Sequence, residues 1–288
     1  MKLYAFGEIL WDVFGKDRHI GGATLNIAAH FSLHGGDVSI ISALGDDELG
    51  IDAKRVVREL GIDDSYVKIL GDYPTGESIV SLDDNGVPSY KITEDVAYDY
   101  IKTDSVTPTA GDLLYFGTLA LRCEHNRKTL TDLIKRGEFS EIFADVNLRA
   151  PFILKESISV ALENASILKI SDEELPTLMT VAFGKDCEYK DAAKRIAEKY
   201  NQIKLIIITR GEKGAYVLDT KTDKEYEMAA KEATVVSTVG AGDSFSAAFL
   251  YTYTKGESIE KCLENATRVS AFVVSVPEAV PHYDPKNL

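Results

Sequence analysis

The sequence predicts an α/β protein with a mostly parallel central sheet and helices on both faces. Amphipathic segments of helical spacing, such as GIDAKRVVREL and YKDAAKRIAEKY, alternate with short apolar runs rich in β-forming residues. The runs interpreted as strands are KLYAFG, VSIISAL, DLLYFG, EIFADV, SILKI and KLIIIT. Near-continuous apolar strands separated by amphipathic helices are typical of a parallel sheet buried on both sides. In such sheets ligands bind beyond the carboxyl ends of the strands.

Two regions interrupt this alternation. Residues 66–93 contain the turn signals GDYPTG and DDNG, which predict an antiparallel β flap outside the central sheet. A small β unit of this kind must pack on something, so we expect a lid over the site, a contact with a partner subunit, or both. The segment GAYVLDTKTDKEYEMAA predicts a hairpin beside the last parallel strand. We therefore expect one domain over 1–288, with a β lid inserted at about 66–93 and part of 10–20 as a further candidate for it.

Composition narrows the class of protein. The formal net charge of −14 argues against a nucleic acid or a membrane surface as partner. The three cysteines, Cys123, Cys187 and Cys262, form no CxxC pair, which favours free thiols in a reducing compartment. The N-terminal stretch MKLYAFGEIL becomes acidic too early for a signal peptide. These features predict a cytoplasmic protein.

The segment STVGAGDSFSAAFLY carries the strongest local signal. Gly240, Ala241 and Gly242 are small enough for backbone N–H groups to approach an anion, and an apolar helix follows them. Asp243 then lies in the first helical turn, where it is either a functional carboxylate or an ordinary N-cap. The Gly-x-Gly beside it favours function, because a cap does not need it. No Lys-Ser/Thr follows the glycines, so this is not a Walker A loop.

A second glycine pair, Gly21 and Gly22, precedes a predicted helix over 23–33. Asn26 lies within the first turns of that helix, where it either faces solvent or binds a ligand. Together with Gly22 and with Asp12 from GEILWD, it offers donors and acceptors suited to sugar hydroxyls.

Further polar groups follow other predicted strands. Asp145, Asn147 and Arg149 alternate in FADVNLRAPF, where unpaired burial is costly, so they meet a ligand or form an internal Asp–Arg pair. Ser171 and Glu174 have the spacing of a capping box that begins a short helix.

The last strand-end motif is IIITRGEKGAYVL. Thr209, Gly211 and Gly214 follow the last parallel strand and form a plausible edge for a nucleotide.

The order of these motifs resembles the ribokinase-like (PfkB) family of carbohydrate kinases over nearly the whole chain. GGATLNIAAHFSLHGG and STVGAGDSFSAA are similar to its two signature segments, while GEILWDVF, DVNLRAPF and LKISDEEL look most like fructokinases. The resemblance implies that Asp243 is the general base and that Gly240, Ala241 and Gly242 form the anion hole. The other implied roles are sugar binding by Asp12, Gly21, Gly22, Asn26 and Arg149, with the phosphates as the alternative contact of Arg149; nucleotide binding by Ser171, Thr209, Gly211, Gly214 and Asn265; and Mg²⁺ organisation by Glu174 through water.

The resemblance also implies ATP and Mg²⁺ as cofactors, a small sugar as acceptor, and a homodimer formed through the β lid. The expected reaction converts D-fructose to fructose 6-phosphate. Ribose, 2-keto-3-deoxygluconate or a nucleoside are alternative acceptors, and a non-catalytic sugar- or nucleotide-binding regulator is an alternative class. Relatives that use K⁺ usually have Asp where this chain has Ser237, and Gly-Ala where it has Pro277 and Glu278, which makes a K⁺ site doubtful.

Overall fold

The computed structural model describes residues 1–82 and 88–288, and within these ranges it contains thirteen strands and eight α-helices. The strands are β1 (Leu3–Phe6), β2 (Leu10–Phe14), β3 (Asp17–Gly21), β4 (Val38–Gly45), β5 (Val67–Leu70), β6 (Gly76–Leu82), β7 (Pro88–Ile92), β8 (Leu113–Gly117), β9 (Glu141–Val146), β10 (Ile167–Ser171), β11 (Leu205–Thr209), β12 (Ala215–Asp219) and β13 (Lys224–Met228). The helices are α1 (Ala23–Leu33), α2 (Glu48–Glu59), α3 (Glu124–Arg136), α4 (Lys155–Asn164), α5 (Leu175–Phe183), α6 (Tyr189–Lys199), α7 (Ala241–Thr254) and α8 (Ile259–Val273).

The described strands form one large sheet in the order β13-β12-β11-β10-β9-β8-β1-β4-β5. Every pair from β11 to β5 is parallel, and β12 and β13 add an antiparallel hairpin at one edge. The six predicted strands and the predicted hairpin are thereby confirmed. Because the parallel strands run in one direction, the residues that follow β1, β8, β9, β10 and β11 gather at one edge of the sheet.

Helices cover both faces of this sheet, as the sequence predicts. One buried cluster joins α1, α2, α7 and α8 to the sheet through side chains such as Leu25, Val57 and Phe249. A second cluster joins α3 to α6 to the opposite face, with Leu133 and Ile196 among its members. Strands β1, β4 and β8 are buried along their whole length, which explains their lack of polar alternation.

A second, small sheet has the order β3-β2-β6-β7. Two of its pairs are antiparallel, while the central pair β2–β6 is parallel. The expectation that all of 66–93 lies outside the central sheet is wrong for β5, which pairs with β4 in the large sheet. Turn signals locate the ends of β5 but say nothing about which strand it joins. The predicted DDNG turn at 83–86 lies outside the described residues.

The three cysteines are free thiols, and Cys262 lies on the buried face of α8. Among residues 1–82 and 88–288, no helix combines the length and the apolar composition that a membrane crossing requires.

Candidate active site at the N-terminus of α7

The loop before α7 turns sharply at Gly240, the N-cap of the helix. Gly240 has φ 78°, a left-handed conformation that favours glycine, and a Cβ there would lie 2.5 Å from the carbonyl oxygen of Ala279. Ser244 makes the first helical hydrogen bond, to the Gly240 carbonyl at 2.8 Å. The amide of Ala241 makes a long bond, 3.3 Å, to the Thr238 carbonyl. As at any helix start, the first amides lack intrahelical acceptors and carry partial positive charge, so they suit an anion.

Asp243 lies in the first turn of α7 and is half-buried. It does not cap the helix, because its Oδ2 accepts a hydrogen bond from Asn26 Nδ2 at 2.8 Å. Burial raises the pKa of Asp243, while the bond from Asn26 and the positive charges of Lys169 and Arg149 oppose that rise. The alternatives of a solvent-facing Asn26 and an N-cap Asp243 are therefore both overturned. Asn26 is 5% exposed and joins the two motif segments across the molecule.

Asp12 approaches the site from the small sheet. It lies on β2 opposite His19, and a Cβ on the neighbouring Gly21 would be 2.5 Å from the Asp12 Oδ2. Burial raises the pKa of Asp12, and the hydrogen bond with Ser78 and the charge of Arg149 oppose the shift. Gly21 thus leaves room for the carboxylate that the small sheet directs inward.

Arg149 connects these two carboxylates electrostatically. Its side chain is exposed, and its charge opposes the rise that burial causes in the pKa of both Asp12 and Asp243. The internal pair with Asp145 that the sequence left open does not form. Arg149 is instead a surface cation between the small sheet and the start of α7, available to an anionic or hydroxylated ligand.

Asp145 pairs with a residue that the sequence reasoning missed. Lys169, on the neighbouring strand β10, places its Nζ 3.0 Å from Asp145 Oδ1, and Ser246 donates to Asp145 Oδ2 at 3.3 Å. A Cβ on Gly242 would lie 3.2 Å from the same Nζ. Burial raises the pKa of Asp145 to about 6 against the opposing charge of Lys169. A buried ammonium therefore lies directly behind the amides at the start of α7.

Three carboxylates interact electrostatically with Lys169. Burial lowers its pKa, but Asp145, Glu174 and Asp243 outweigh that effect and the net shift is upward. The signal in the sequence was a lysine inside the apolar strand SILKI, where a charge needs a buried partner.

Asn147, the middle residue of the predicted trio, is held through its backbone. The Thr118 hydroxyl donates to its carbonyl at 2.7 Å. Its Oδ1 is buried and has no hydrogen-bond partner within the residues that the structure describes. Such an acceptor at a functional site suits a ligand or a water molecule.

Ser171 and Glu174 close the turn between β10 and α5. Glu174 Oε2 accepts from the Ser171 hydroxyl at 2.7 Å, and Glu174 Oε1 accepts from the Leu148 amide at 2.8 Å. The predicted capping-box bonds are present: the Ser171 amide donates to Glu174 Oε2, and the Glu174 amide donates to the Ser171 hydroxyl, each at 3.3 Å. They close the turn just before α5, which begins at Leu175 with Glu174 at its N-cap. The bond from the Leu148 amide ties this turn to the loop that carries Arg149.

Glu174 is also the candidate for organising Mg²⁺. In the described part of the chain, no group of three or more His, Cys, Asp or Glu residues is arranged to hold a metal ion. Mg²⁺ in phosphate-binding sites commonly takes one or two carboxylates and completes its shell with water and substrate oxygens. A single half-buried carboxylate at this edge fits that mode of binding.

The candidate nucleotide residues lie at the same edge of the sheet. Thr209 ends β11 in register with Ser171 on β10, and its carbonyl accepts from the Asp172 amide at 2.8 Å. Gly214 has φ 88°, and a Cβ there would collide with the carbonyl oxygen of Met228 at the end of β13. Gly211, with φ 51°, forms the exposed turn between them.

Asn265, the remaining candidate nucleotide residue, lies on α8, and its side chain makes two hydrogen bonds within the protein. It donates to Thr252 Oγ1 at 2.8 Å and accepts from Arg268 at 2.7 Å. A cavity of about 490 Å³ opens one turn later, lined by Arg268 and Phe272 of α8, by Ser275 just after the helix, and by Lys231 of the loop between β13 and α7. Asn265 thus positions Arg268 at the cavity rather than lining it.

Comparison with known proteins adds independent evidence. A family model described as pfkB family carbohydrate kinase matches residues 6–285. A fructokinase from Salmonella typhimurium is 28% identical over 263 residues, which cover 86% of this chain and 83% of that relative. A 5-dehydro-2-deoxygluconokinase from Listeria monocytogenes is 27% identical over 277 residues, covering 90% of this chain and 81% of the relative.

The fold is similar to that of a solved kinase. The crystal structure of aminoimidazole riboside kinase from Salmonella enterica, complexed with aminoimidazole riboside and an ATP analogue, superposes with a TM-score of 0.84 at 22% identity. The match covers 99% of this chain and 98% of that chain. With the family model extending over nearly the whole sequence, and both signature segments meeting at the Asn26–Asp243 bond, the chain belongs to the pfkB family of carbohydrate kinases.

Proposed function

We propose that this carbohydrate kinase transfers the γ-phosphoryl group of ATP to D-fructose, giving fructose 6-phosphate. The observation that carries the proposal is the contact between Asn26 and Asp243 at the start of α7. It joins the two segments that resemble the family signatures and leaves Asp243 Oδ1 free of that bond. The fructokinase from Salmonella typhimurium supports fructose as the acceptor.

Asp243 acts as the general base. The sugar hydroxyl attacks the γ-phosphorus, its proton passes to the carboxylate, and the bond between the γ-phosphorus and the leaving ADP oxygen breaks. The hydroxyl becomes acidic only as the new O–P bond forms, so a carboxylate of modest basicity suffices. Burial raises the pKa of Asp243 and brings it closer to neutral pH, which strengthens it as a base.

The start of α7 receives the transferring phosphoryl group. Backbone amides that point at developing negative charge stabilise a transition state without reorganisation. Lys169 places a buried positive charge behind Gly242, and Arg149 supplies a second, exposed one. Phosphoryl transfer depends mainly on such positioning and charge neutralisation.

Mg²⁺ is the metal that we expect with ATP. When bound, it would neutralise negative charge on the phosphate groups of ATP. Glu174 would organise it through water, since Ser171 and the Leu148 amide already hold the orientation of this carboxylate.

The nucleotide is proposed to lie along the edge formed by Ser171, Thr209, Gly211 and Gly214, with its base towards the cavity beside α8. The cavity combines the ring of Phe272 with the cations Arg268 and Lys231, which suits a nucleobase. The complex of aminoimidazole riboside kinase with an ATP analogue supports ATP as the donor.

Three further features belong to this proposal. We expect no requirement for K⁺, since Ser237 offers one neutral oxygen, which already accepts from the Val239 amide at 3.2 Å, and Glu278 is exposed. We also expect a cytoplasmic enzyme that dimerises through the small sheet. Ile79 on β6 is 43% exposed there and offers an apolar contact.

A coupled assay of ADP release with Mg-ATP tests the activity. The acceptor panel is D-fructose, ribose, 2-keto-3-deoxygluconate, 5-dehydro-2-deoxygluconate, aminoimidazole riboside and a nucleoside, each with and without K⁺. The expected result is the highest kcat/KM with D-fructose, and a higher value with another acceptor would overturn that assignment. ADP release with none of them, together with measurable sugar binding, would favour a regulator on the same fold.

The Asp243→Asn variant tests the base, with Glu260→Gln as its matched control. Glu260 is also an acid in the first turn of a helix, but its carboxylate is exposed and pairs with Lys224. We expect kcat to fall by about 10³-fold or more in Asp243→Asn, while nucleotide affinity stays within about twofold. Near wild-type kcat in Asp243→Asn would exclude this residue as the base.

A further inference from the structure

Glu8 is a buried carboxylate that the sequence reasoning did not single out. It lies between β1 of the large sheet and β2 of the small sheet, and it is 1% exposed. A buried carboxylate at a junction is costly unless hydrogen bonds satisfy it. Its hydrogen bonds therefore indicate what it does.

The Glu8 side chain caps helix α1 from a distance. Its Oε1 accepts from the Ala23 amide at 3.0 Å, and its Oε2 accepts from the Thr24 hydroxyl at 3.3 Å. The local N-cap residue is Gly22, which has no side chain to do this. Gly22 also allows the close approach, because a Cβ there would lie 2.6 Å from the Glu8 carbonyl oxygen.

The first turn of α1 also contacts the candidate base, Asp243, which lies on α7. Asn26 donates its amide to the Gly22 carbonyl at 2.9 Å, which makes it the first residue bonded within α1. Its side chain then reaches Asp243 at 2.8 Å. The first turn of α1 thus stands between two carboxylates: Glu8 binds its amide end, and Asp243 accepts from its side chain.

We propose that Glu8 is a positioning residue for phosphoryl transfer, which sets the first turn of α1 so that Asn26 orients Asp243. This inference rests on the proposed role of Asp243 as the base. A displacement of about 1 Å at such a site costs up to about 10²-fold in rate.

The surroundings of Glu8 give the proposal an electrostatic signature. The groups that face it are Asp243 from α7, the hydroxyls of Tyr98 and Tyr115, and Thr24 from α1. Burial raises the pKa of Glu8 to about 6, and the charge of Asp243 adds to the rise. Interaction between two carboxylates is reciprocal, so ionised Glu8 also makes Asp243 more basic. Above about pH 6, Glu8 is ionised and supports the base; below it, this support is lost.

The test compares Glu8→Ala, Glu8→Gln and the control Ser258→Ala. Glutamine keeps an oxygen for the Ala23 amide but carries no charge, whereas alanine removes both. Ser258 caps α8 through the Lys261 amide, so its variant loses a helix cap without touching α1. The readouts are kcat, KM for both substrates, and the side-chain amide signals of Asn26 in ¹⁵N–¹H NMR spectra.

We expect kcat to fall about tenfold to hundredfold in Glu8→Ala, with KM for ATP within about twofold. Glu8→Gln recovers most of that loss, and Ser258→Ala behaves like wild type. The Asn26 signals shift in Glu8→Ala, and their change near pH 6 becomes smaller in Glu8→Gln, where the nearby carboxylates Asp145 and Asp243 remain. Unchanged Asn26 signals in Glu8→Ala, or the same titration in Glu8→Gln as in wild type, would overturn the proposal.

The NMR titration needs no catalysis. A wild type without kinase activity would therefore refute the proposed function, while the Asn26 signals would still decide whether Glu8 positions Asp243. Should Glu8→Ala fail to fold, the titration of Glu8→Gln decides in the same way.

Discussion

Two buried ion pairs, Lys169–Asp145 and Arg122–Asp99, differ in what surrounds them. Arg122 binds Asp99 through two nitrogens at 2.7 Å, donates to the Thr93 carbonyl, and lies between the rings of Tyr98 and Phe152. Its partners belong to the turn after β7 and the loop before α4, so it ties the small sheet to the body of the protein.

Lys169, in contrast, lies among three carboxylates. Asp145 contacts it directly, and the charges of Glu174 and Asp243 reach it as well. One ammonium among three acids leaves an excess of negative charge, which a proton or a bound cation can balance. A buried pair whose charges balance one to one holds the fold together, whereas a pair with unbalanced charge marks a site.

Replacing the lysine of the unbalanced pair should have the largest effect. In Lys169→Met we expect kcat to fall about 10²- to 10³-fold, because the positive charge behind the α7 amides is lost. Steady-state kinetics on folded protein measures this. The double variant Lys169→Met with Asp145→Asn removes the orphaned carboxylate, so it should regain stability but not rate. A kcat within threefold of wild type in either variant would show that the Lys169 ammonium does not contribute to phosphoryl transfer.

Breaking the balanced pair, Arg122–Asp99, should lower the stability of the protein and leave its rate nearly unchanged. Arg122→Met leaves Asp99 buried without its partner, so we expect the free energy of unfolding in urea to fall by about 3–5 kcal/mol. The kcat of the folded fraction should stay within about threefold. A loss of rate comparable to that of Lys169→Met, with stability unchanged, would erase the distinction between the two pairs.

The smallest effect is expected from a partly exposed ion pair, Glu141–Lys204, of which one member lies on β9. Glu141 begins β9, four residues before Asp145, and contacts Lys204 at 2.7 Å, with side chains 14% and 31% exposed. Lys204→Met should change the free energy of unfolding by less than about 1 kcal/mol, because solvent screens the pair. Kinetics should match wild type. A larger loss would show that position on β9, rather than burial, governs these pairs.

Much of the fold was predictable because burial on both faces leaves a simple pattern. Strands such as VSIISAL need apolar side chains throughout, and the amphipathic helices need one apolar face. The failure at β5 has an equally simple cause. Its four residues form a strand in either sheet, and only pairing with β4 decides between them.

Some residues of the candidate site were likewise predictable from the sequence, and others were not. Asp243, Asn26 and Gly240 could be named from their motifs, because backbone approach to an anion demands small residues at a helix start. Lys169 and Glu8 could not be assigned, since each is a single charged residue in an apolar stretch. Their proposed roles rest on contacts with Asp145 and with the first turn of α1.

The sequence by itself determined the α/β architecture, the motif residues at the strand ends and the resemblance to sugar kinases, because periodicity and glycine placement are local properties. Only the tertiary structure decided that Asn26 reaches Asp243 across 217 positions of the chain, and that Asp145 pairs with Lys169 rather than Arg149. Hydrogen bonds and ion pairs between distant segments depend on how the sheet and helices pack, and no local pattern records that packing. STVGAGDSFSAAFLY thus supplies the carboxylate, and its orientation comes from α1.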